Sequence, residues 1–210
     1  MKRNATILMI LSAAVLPALV SCDDKKEPIE TMFSGFMTGR TDSEGYIKSL
    51  KDDYGKNYKV TEKSEKLDPD SNYRLVASVA IDENLTARIL QMAPAISYQA
   101  PEDSIIPDSM RVKDPVEIHS LYIGGGFLNI YMGIKVAKEG TAHRLFYSHL
   151  DTPGKVKFTI YHNAYGDEPV YTKHAYVSIP LAGYGLGQND TVFLSANGYQ
   201  EDYDYKLIYK

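Results

Sequence analysis

The stretch "LYIGGGFLNIYMGIKV" (Leu121–Val136) decides how this chain is read. Gly124, Gly125 and Gly126 invite comparison with a phosphate-binding loop. The context argues against it. A dinucleotide loop needs Gly-x-Gly-x-x-Gly between a strand and a helix, and a P-loop needs Gly-Lys-Ser/Thr. Here Leu128, Ile130, Met132, Ile134 and Val136 alternate with Asn129, Tyr131, Gly133 and Lys135. That is the period-two pattern of a strand. Glycines in such a place mark a bulge or sharp bend where another backbone comes close. No cofactor is expected at them.

The same alternation recurs on both sides. "NYRLVASVAID" puts Tyr73, Leu75, Ala77, Val79 and Ile81 on one face. "KVKFTIYHN" does so with Val156, Phe158 and Ile160, and "YTKHAYVSI" with Tyr171, Ala175, Val177 and Ile179. "YDYKLIYK" lines up Tyr203, Tyr205, Leu207 and Tyr209. β-branched and aromatic residues dominate these runs, as half-buried strands require. Turn-forming stretches such as "DSEG", "DDYGKN", "DTPG" and "YGDEP" separate them. The chain is therefore expected to be all-β, in the form of a barrel or a sandwich.

One stretch breaks the rhythm. "QAPEDSIIPDSMRVKDP" (99–115) carries three prolines and little alternation, and reads as an interdomain linker. It divides the chain into a small β-domain at 33–98 and a second at 116–210, sizes suited to a small barrel and a sandwich. Net charge is −4, and −6 once Lys2 and Arg3 are set aside with residues 1–21, leaving 21 basic against 27 acidic groups. A chain of that sign lacks the electrostatic footprint for nucleic acid.

Residues 1–21 read as a signal peptide: a basic start, then the apolar run Ile7–Val20, too short for the ~20 residues of a membrane span. The run ends in Leu19-Val20-Ser21-Cys22, which resembles the bacterial lipobox. That resemblance implies cleavage before Cys22 and acyl chains on it, with partnership to the membrane through those chains. Two or three chains anchor stably where one anchors only marginally. Residues 22–32 then form a tether. Its "DDKKEP" resembles the acidic signal, here Asp23 and Asp24, that carries Bacteroidetes lipoproteins to the cell surface; a plain charged linker is the other reading. The expected location is the outer membrane, with either leaflet open.

Three further runs resemble a known family. "IGGGFLNIYMGIKV", "HRLFYSHLD" and "YHNAYGDEP" are similar to the C-terminal β-sandwich of the NigD-like lipoproteins of Bacteroidetes. "GYIKSLKDDYGKNYKVTEKSEKLDPDSNYRLVASVAID" resembles that family's N-terminal OB-type domain. Where family members often have Trp before the glycines, this chain has Tyr122. The resemblance implies an OB-like barrel followed by an antiparallel β-sandwich, and an immunity-type role linked to bacteriocin genes. It carries over no catalytic residue and no cofactor.

His143, His149, Asp151, His162 and His174 fall within 32 residues, but spacing alone does not bring three or four ligands to one metal, so no metal site is expected. No Gly-x-Ser-x-Gly elbow occurs, and the sole cysteine is the anchor. Asp167 and Glu168 sit in turn sequence, which explains them without catalysis. Seventeen Tyr could form sugar-stacking platforms, although there is no Trp and most of the Tyr read as strand-face core with the hydroxyl at the rim. Ser104, Ser109 and Thr191 stand in Asp-Ser/Thr-aliphatic tripeptides that resemble the Bacteroidetes O-glycosylation acceptor. The expectation is a non-catalytic binding, shielding or immunity-type protein with an envelope protein or polysaccharide as partner. The alternative is a secreted-side hydrolase acting on glycan or peptide.

Overall fold

The computed structural model describes residues 30–138 and 140–210; the expected signal peptide, Cys22 and most of the expected tether lie outside the described residues. The first half is a closed five-stranded barrel in the order β1-β2-β3-β5-β4. Its strands are β1 (Thr31–Thr41), β2 (Ile47–Asp52), β3 (Asn57–Val60), β4 (Asn72–Ile81) and β5 (Thr86–Pro94). β3 and β5 pair in parallel, and β4 closes on β1. This is an OB-like barrel.

Three of its hairpin turns share one device. Asp42, Asp52 and Asp82 each accept the backbone N–H groups two and four residues ahead, at 2.8–3.0 Å. These are the Asp-initiated turns expected from "DSEG" and "DDYGKN". The N–H of Tyr46 is the main reason the Asp42 carboxyl lies below its ordinary range.

The second half is a sandwich of two sheets. A three-stranded sheet in the order β10-β7-β6 contains β6 (Glu117–Gly124), β7 (Phe127–Val136) and β10 (Tyr171–Pro180). It faces a four-stranded sheet, β12-β11-β9-β8, built from β8 (Arg144–Thr152), β9 (Lys155–Asn163), β11 (Thr191–Ala196) and β12 (Tyr203–Ile208). All pairings are antiparallel except β9 with β11. The expected faces form the core, except that Tyr171 at the start of β10 is exposed. Leu128, Ile130, Met132, Ile134 and Val136 pack with Val156, Phe158, Ile160, Val177 and Ile179. In the barrel, Leu75, Ala77, Val79 and Ile81 do the same. Each large side chain so buried stabilises by roughly 1.5–3 kcal/mol.

The 99–115 stretch departs from the expectation of a linker. It begins beside His149, with a Glu102–His149 bridge, and ends beside His162, with a Lys113–His162 bridge. Ala100 enters the sandwich core, and Ile106 is buried. Asp103 accepts hydrogen bonds from Ser148 Oγ (2.6 Å) and Tyr161 Oη (2.7 Å) and pairs with Arg111 (2.6 Å). The stretch is a strap laid over the four-stranded sheet. Its prolines and two short 3-10 turns, Asp103–Ile105 and Asp108–Met110, suppress strand alternation without making it loose.

The crossing between halves lies earlier and has no slack. Ala95 N–H bonds Arg74 O on the barrel (3.0 Å), and the next residue, Ile96, exchanges bonds with Tyr176 and Ser178 of β10 (2.8 and 2.9 Å).

Candidate functional site

The glycine stretch is where the two halves meet. Gly125 and Gly126, at φ +61° and +87°, form the two-residue turn of the β6–β7 hairpin. That left-handed pair suits a tight hairpin and suits glycine. Gly125 N–H donates to the backbone oxygen of Asp53 (3.1 Å), in the β2–β3 turn. A Cβ on Gly125 would lie 2.5 Å from Asp53 Oδ1. The sharp bend with a close backbone is as expected; its neighbour is the other domain.

Beside it lies a buried polar latch. Arg74 Nη2–H donates to Asp53 Oδ1 (2.5 Å) and to Asn129 Oδ1 (2.9 Å), and Arg74 Nε–H donates to Ser178 Oγ (2.7 Å). Tyr122 O–H and Asn129 Nδ2–H donate to Asp53 Oδ2 (2.8 and 2.9 Å). Arg74 and Asp53 come from the barrel; Tyr122, Asn129 and Ser178 come from β6, β7 and β10. The two charged side chains are 4% and 6% exposed. The Phe127 ring lies 4.2 Å from the guanidinium. Burial, then the bond to Asp53, pushes the Tyr122 phenol well above its ordinary range. Sequence reasoning gave these residues no role. The available signal was a polar residue inside an apolar strand run: Arg74 in "NYRLVAS" and Asn129 in "FLNIYM".

The barrel covers only one end of the outer face of the three-stranded sheet. Between them remains a cleft of about 470 Å³. Phe33 and Phe36 of β1, Tyr54 of the β2–β3 turn, and Tyr122, Tyr131 and Tyr176 of the sheet line it. Tyr131 and Tyr176 are register partners with stacked rings (5.3 Å, 17°). Phe36 meets Tyr122 and Tyr176 edge-on (6.2 and 6.1 Å). Elsewhere Tyr58, Tyr147 and Tyr161 are buried, while Tyr98, Tyr165 and Tyr171 are exposed; the cleft gathers four tyrosines on one surface.

The histidines separate into three places. His143 Nδ1 lies 2.9 Å from His162 Nε2, and His143 Nε2 lies 3.0 Å from Asp167 Oδ2. His162 Nδ1 faces the backbone oxygens of Pro115 and Asp114 (3.1 and 3.3 Å), and burial lowers its pKa. Asp167 also accepts the Ala137 N–H (2.9 Å), the main cause of its depressed pKa. His143 resembles the middle of a catalytic triad, but its Nδ1 meets another imidazole rather than a hydroxyl or thiol, and its side chain is 1% exposed. His149 bonds Ala100 O (2.9 Å) and lies 3.7 Å from Asp151. His174 bonds Tyr131 Oη (2.9 Å) on the outer sheet face, beside His119. Among the described residues no group of three or more His, Cys, Asp or Glu is arranged to hold a metal ion.

Of the other predicted positions, Ser104 and Ser109 are exposed on the strap's two 3-10 turns, and Thr191 is half-buried at the start of β11. Glu168 is exposed. Among the described residues no helix is long and apolar enough to cross a membrane.

The sequence from 100 to 209, just over half of the chain, matches the NigD-like C-terminal beta sandwich domain. The chain belongs to the NigD-like family. Its fold is shared with a NigD-like immunity protein from Bacteroides caccae (TM-score 0.71, 23% identity, 85% of this chain and 97% of that one). It is also shared with a protein named as a candidate toxin-related protein from Parabacteroides distasonis (TM-score 0.67, 20% identity, 86% and 94%). A third similar structure, named as a candidate lipoprotein, comes from Bacteroides fragilis (TM-score 0.60, 13% identity, 86% and 98%). At these identities the likeness concerns fold alone. Comparison with curated proteins gives no match. For this NigD-like chain, the expected barrel followed by a sandwich is the observed architecture.

Proposed function

We propose that this NigD-like protein is a lipid-anchored, non-catalytic binding module of the outer membrane, shielding or sequestering an envelope partner in the cleft between its domains. The observation that carries the reading is how its polar groups are used. Asp53, Asp103, Asp167, His143 and His162 commit their hydrogen-bonding atoms to backbone or to structural side chains, while the cleft presents aromatic area. An active site does the reverse, holding coupled titratable groups open to a substrate. The family membership and the immunity-protein neighbour support an immunity-type role, and the lipoprotein neighbour supports an anchor at Cys22. Ser104 and Ser109, exposed on the strap, are the best of the three O-glycosylation candidates; Thr191 has less room.

The test uses soluble residues 23–210. They should show no turnover on glycan, peptide or ester panels, and alanine at His143, His149, Asp151 or His162 should alter stability more than partner binding. Turnover abolished by one of those changes, with the fold intact, would replace this reading with the hydrolase.

A further inference from the structure

We infer that the interdomain cleft is a carbohydrate site that takes a neutral oligosaccharide laid along the outer face of the β10-β7-β6 sheet. This rests on the binding-module reading and names its ligand.

The first argument is the shape of the aromatic surface. Tyr54, 89% exposed on the barrel turn, and Tyr122, 37% exposed on β6, stand at the rim. The stacked Tyr131 and Tyr176 continue the surface along the sheet, and His119 and His174 extend it, His119 lying 4.9 Å from the Tyr131 ring. Gly133 marks where the surface ends. A Cβ there would lie 2.6 Å from Thr172 Cγ2, 2.8 Å from His119 Nε2 and 3.2 Å from Glu117 Oε2, so these side chains close over the buried glycine and bound the surface. From the Asn129 row to the Gly133 row is four strand residues, or about 13 Å at ~3.3 Å per residue, an elongated rather than a point-like site.

The second argument is chemical. A pyranose offers apolar C–H faces and a polar rim of hydroxyls. The cleft offers the complement: ring faces inside, and hydroxyls of Tyr54, Tyr176 and Ser120 that make no hydrogen bond to the described residues. Tyrosine supplies such rigid amphipathic area at low entropic cost. The cleft volume falls in the range of small-ligand sites, ~300–1,000 Å³.

The third argument excludes competitors. The charged side chains at the floor, Arg74 and Asp53, neutralise each other out of solvent, and at the far end Glu117 is paired with Lys135 (3.3 Å), so no unpaired charge there selects an ionic ligand. A peptide strand would need the free edge of β6. That edge is interrupted by a register shift between Ile118 and Ser120, beside the cleft, which is how sheets block strand addition. The acidic net charge disfavours nucleic acid.

The experiment is a glycan array of neutral and acidic oligosaccharides probed with residues 23–210. Titration of each hit follows tyrosine emission, the chain having no Trp. At least one neutral oligosaccharide should bind saturably. Tyr54→Ala, at a side chain too exposed to matter for folding, and Tyr131→Ala should each weaken binding at least tenfold. Tyr165→Ala, at an exposed tyrosine outside the cleft, should leave it unchanged. Binding of no neutral glycan, or binding indifferent to both Tyr54→Ala and Tyr131→Ala, overturns the assignment. If a photo-cross-linker at position 54 then captures one defined envelope protein, the binding-module reading survives and the carbohydrate assignment alone falls. If the bound glycan is cleaved, the non-catalytic reading falls while the carbohydrate site stands.

Discussion

Asp53→Ala tests whether the two domains are held together by the buried latch. The substitution removes one carboxylate and strands three donors: Arg74 Nη2–H, Tyr122 O–H and Asn129 Nδ2–H. Arg74 keeps its bonds to Ser178 and Asn129 but becomes a buried cation without a counter-charge. Breaking a buried pair from one side costs about 3–5 kcal/mol, and the Tyr122 hydroxyl, near solvent, adds little to that. Replacing both members, Asp53→Ala with Arg74→Met, should cost less than Asp53→Ala alone, because no charge is left unpaired. Equilibrium urea unfolding of residues 23–210, with tyrosine emission and circular dichroism as separate probes, gives all the corners of the cycle with Arg74→Met. A loss below about 1 kcal/mol for Asp53→Ala, or a double variant worse than it, would refute the reasoning.

Other outcomes follow from the same geometry. Gly126→Ala should cost about 1 kcal/mol from its left-handed backbone alone, since nothing lies within 4 Å of the new Cβ. Gly125→Ala should cost clearly more, through the contact with Asp53, and equal melting temperatures would contradict this. Burial, then the bond to Asp52, pushes the Tyr58 phenol up to about 12. The unfolded chain gives up that proton near pH 10, so stability should hold below pH 10 and fall as pH rises toward 12; Tyr58→Phe should flatten part of the fall in pH-dependent urea unfolding. Cys22→Ala should leave the precursor uncleaved and without acyl groups, and a mature N-terminus found elsewhere by mass spectrometry would remove the anchor from the account.

The strands and their buried faces were legible because period-two alternation reports one wet and one dry side. β7 shows where that signal runs out. Asn129 sits on its polar face yet is fully buried, because a second domain covers that face. Alternation records chemistry along one strand and is silent on what arrives from 55 residues away, as Arg74 does. The strap misled for a related reason: proline and charge look the same in a free linker and in a segment pinned by Asp103 and Arg111. The histidines were close in sequence, but β8 and β9 run antiparallel, which joins His143 to His162 while carrying His149 six residues along the sheet. The cleft was the least legible part, since its tyrosines come from four separate segments and look no different from core tyrosines.

The taut crossing at Ala95–Ile96 has a consequence for how this molecule can be taken apart. The family's sandwich match begins at residue 100, yet Ile96 bonds the outer edge of β10, and Tyr98 stacks on Tyr147 at 4.3 Å. A fragment cut at 100 would leave an unpaired edge strand and an uncovered tyrosine, an invitation to aggregate. The unit that is inherited and the unit that folds are offset by several residues, and the offset falls on the stretch that joins one body to the other.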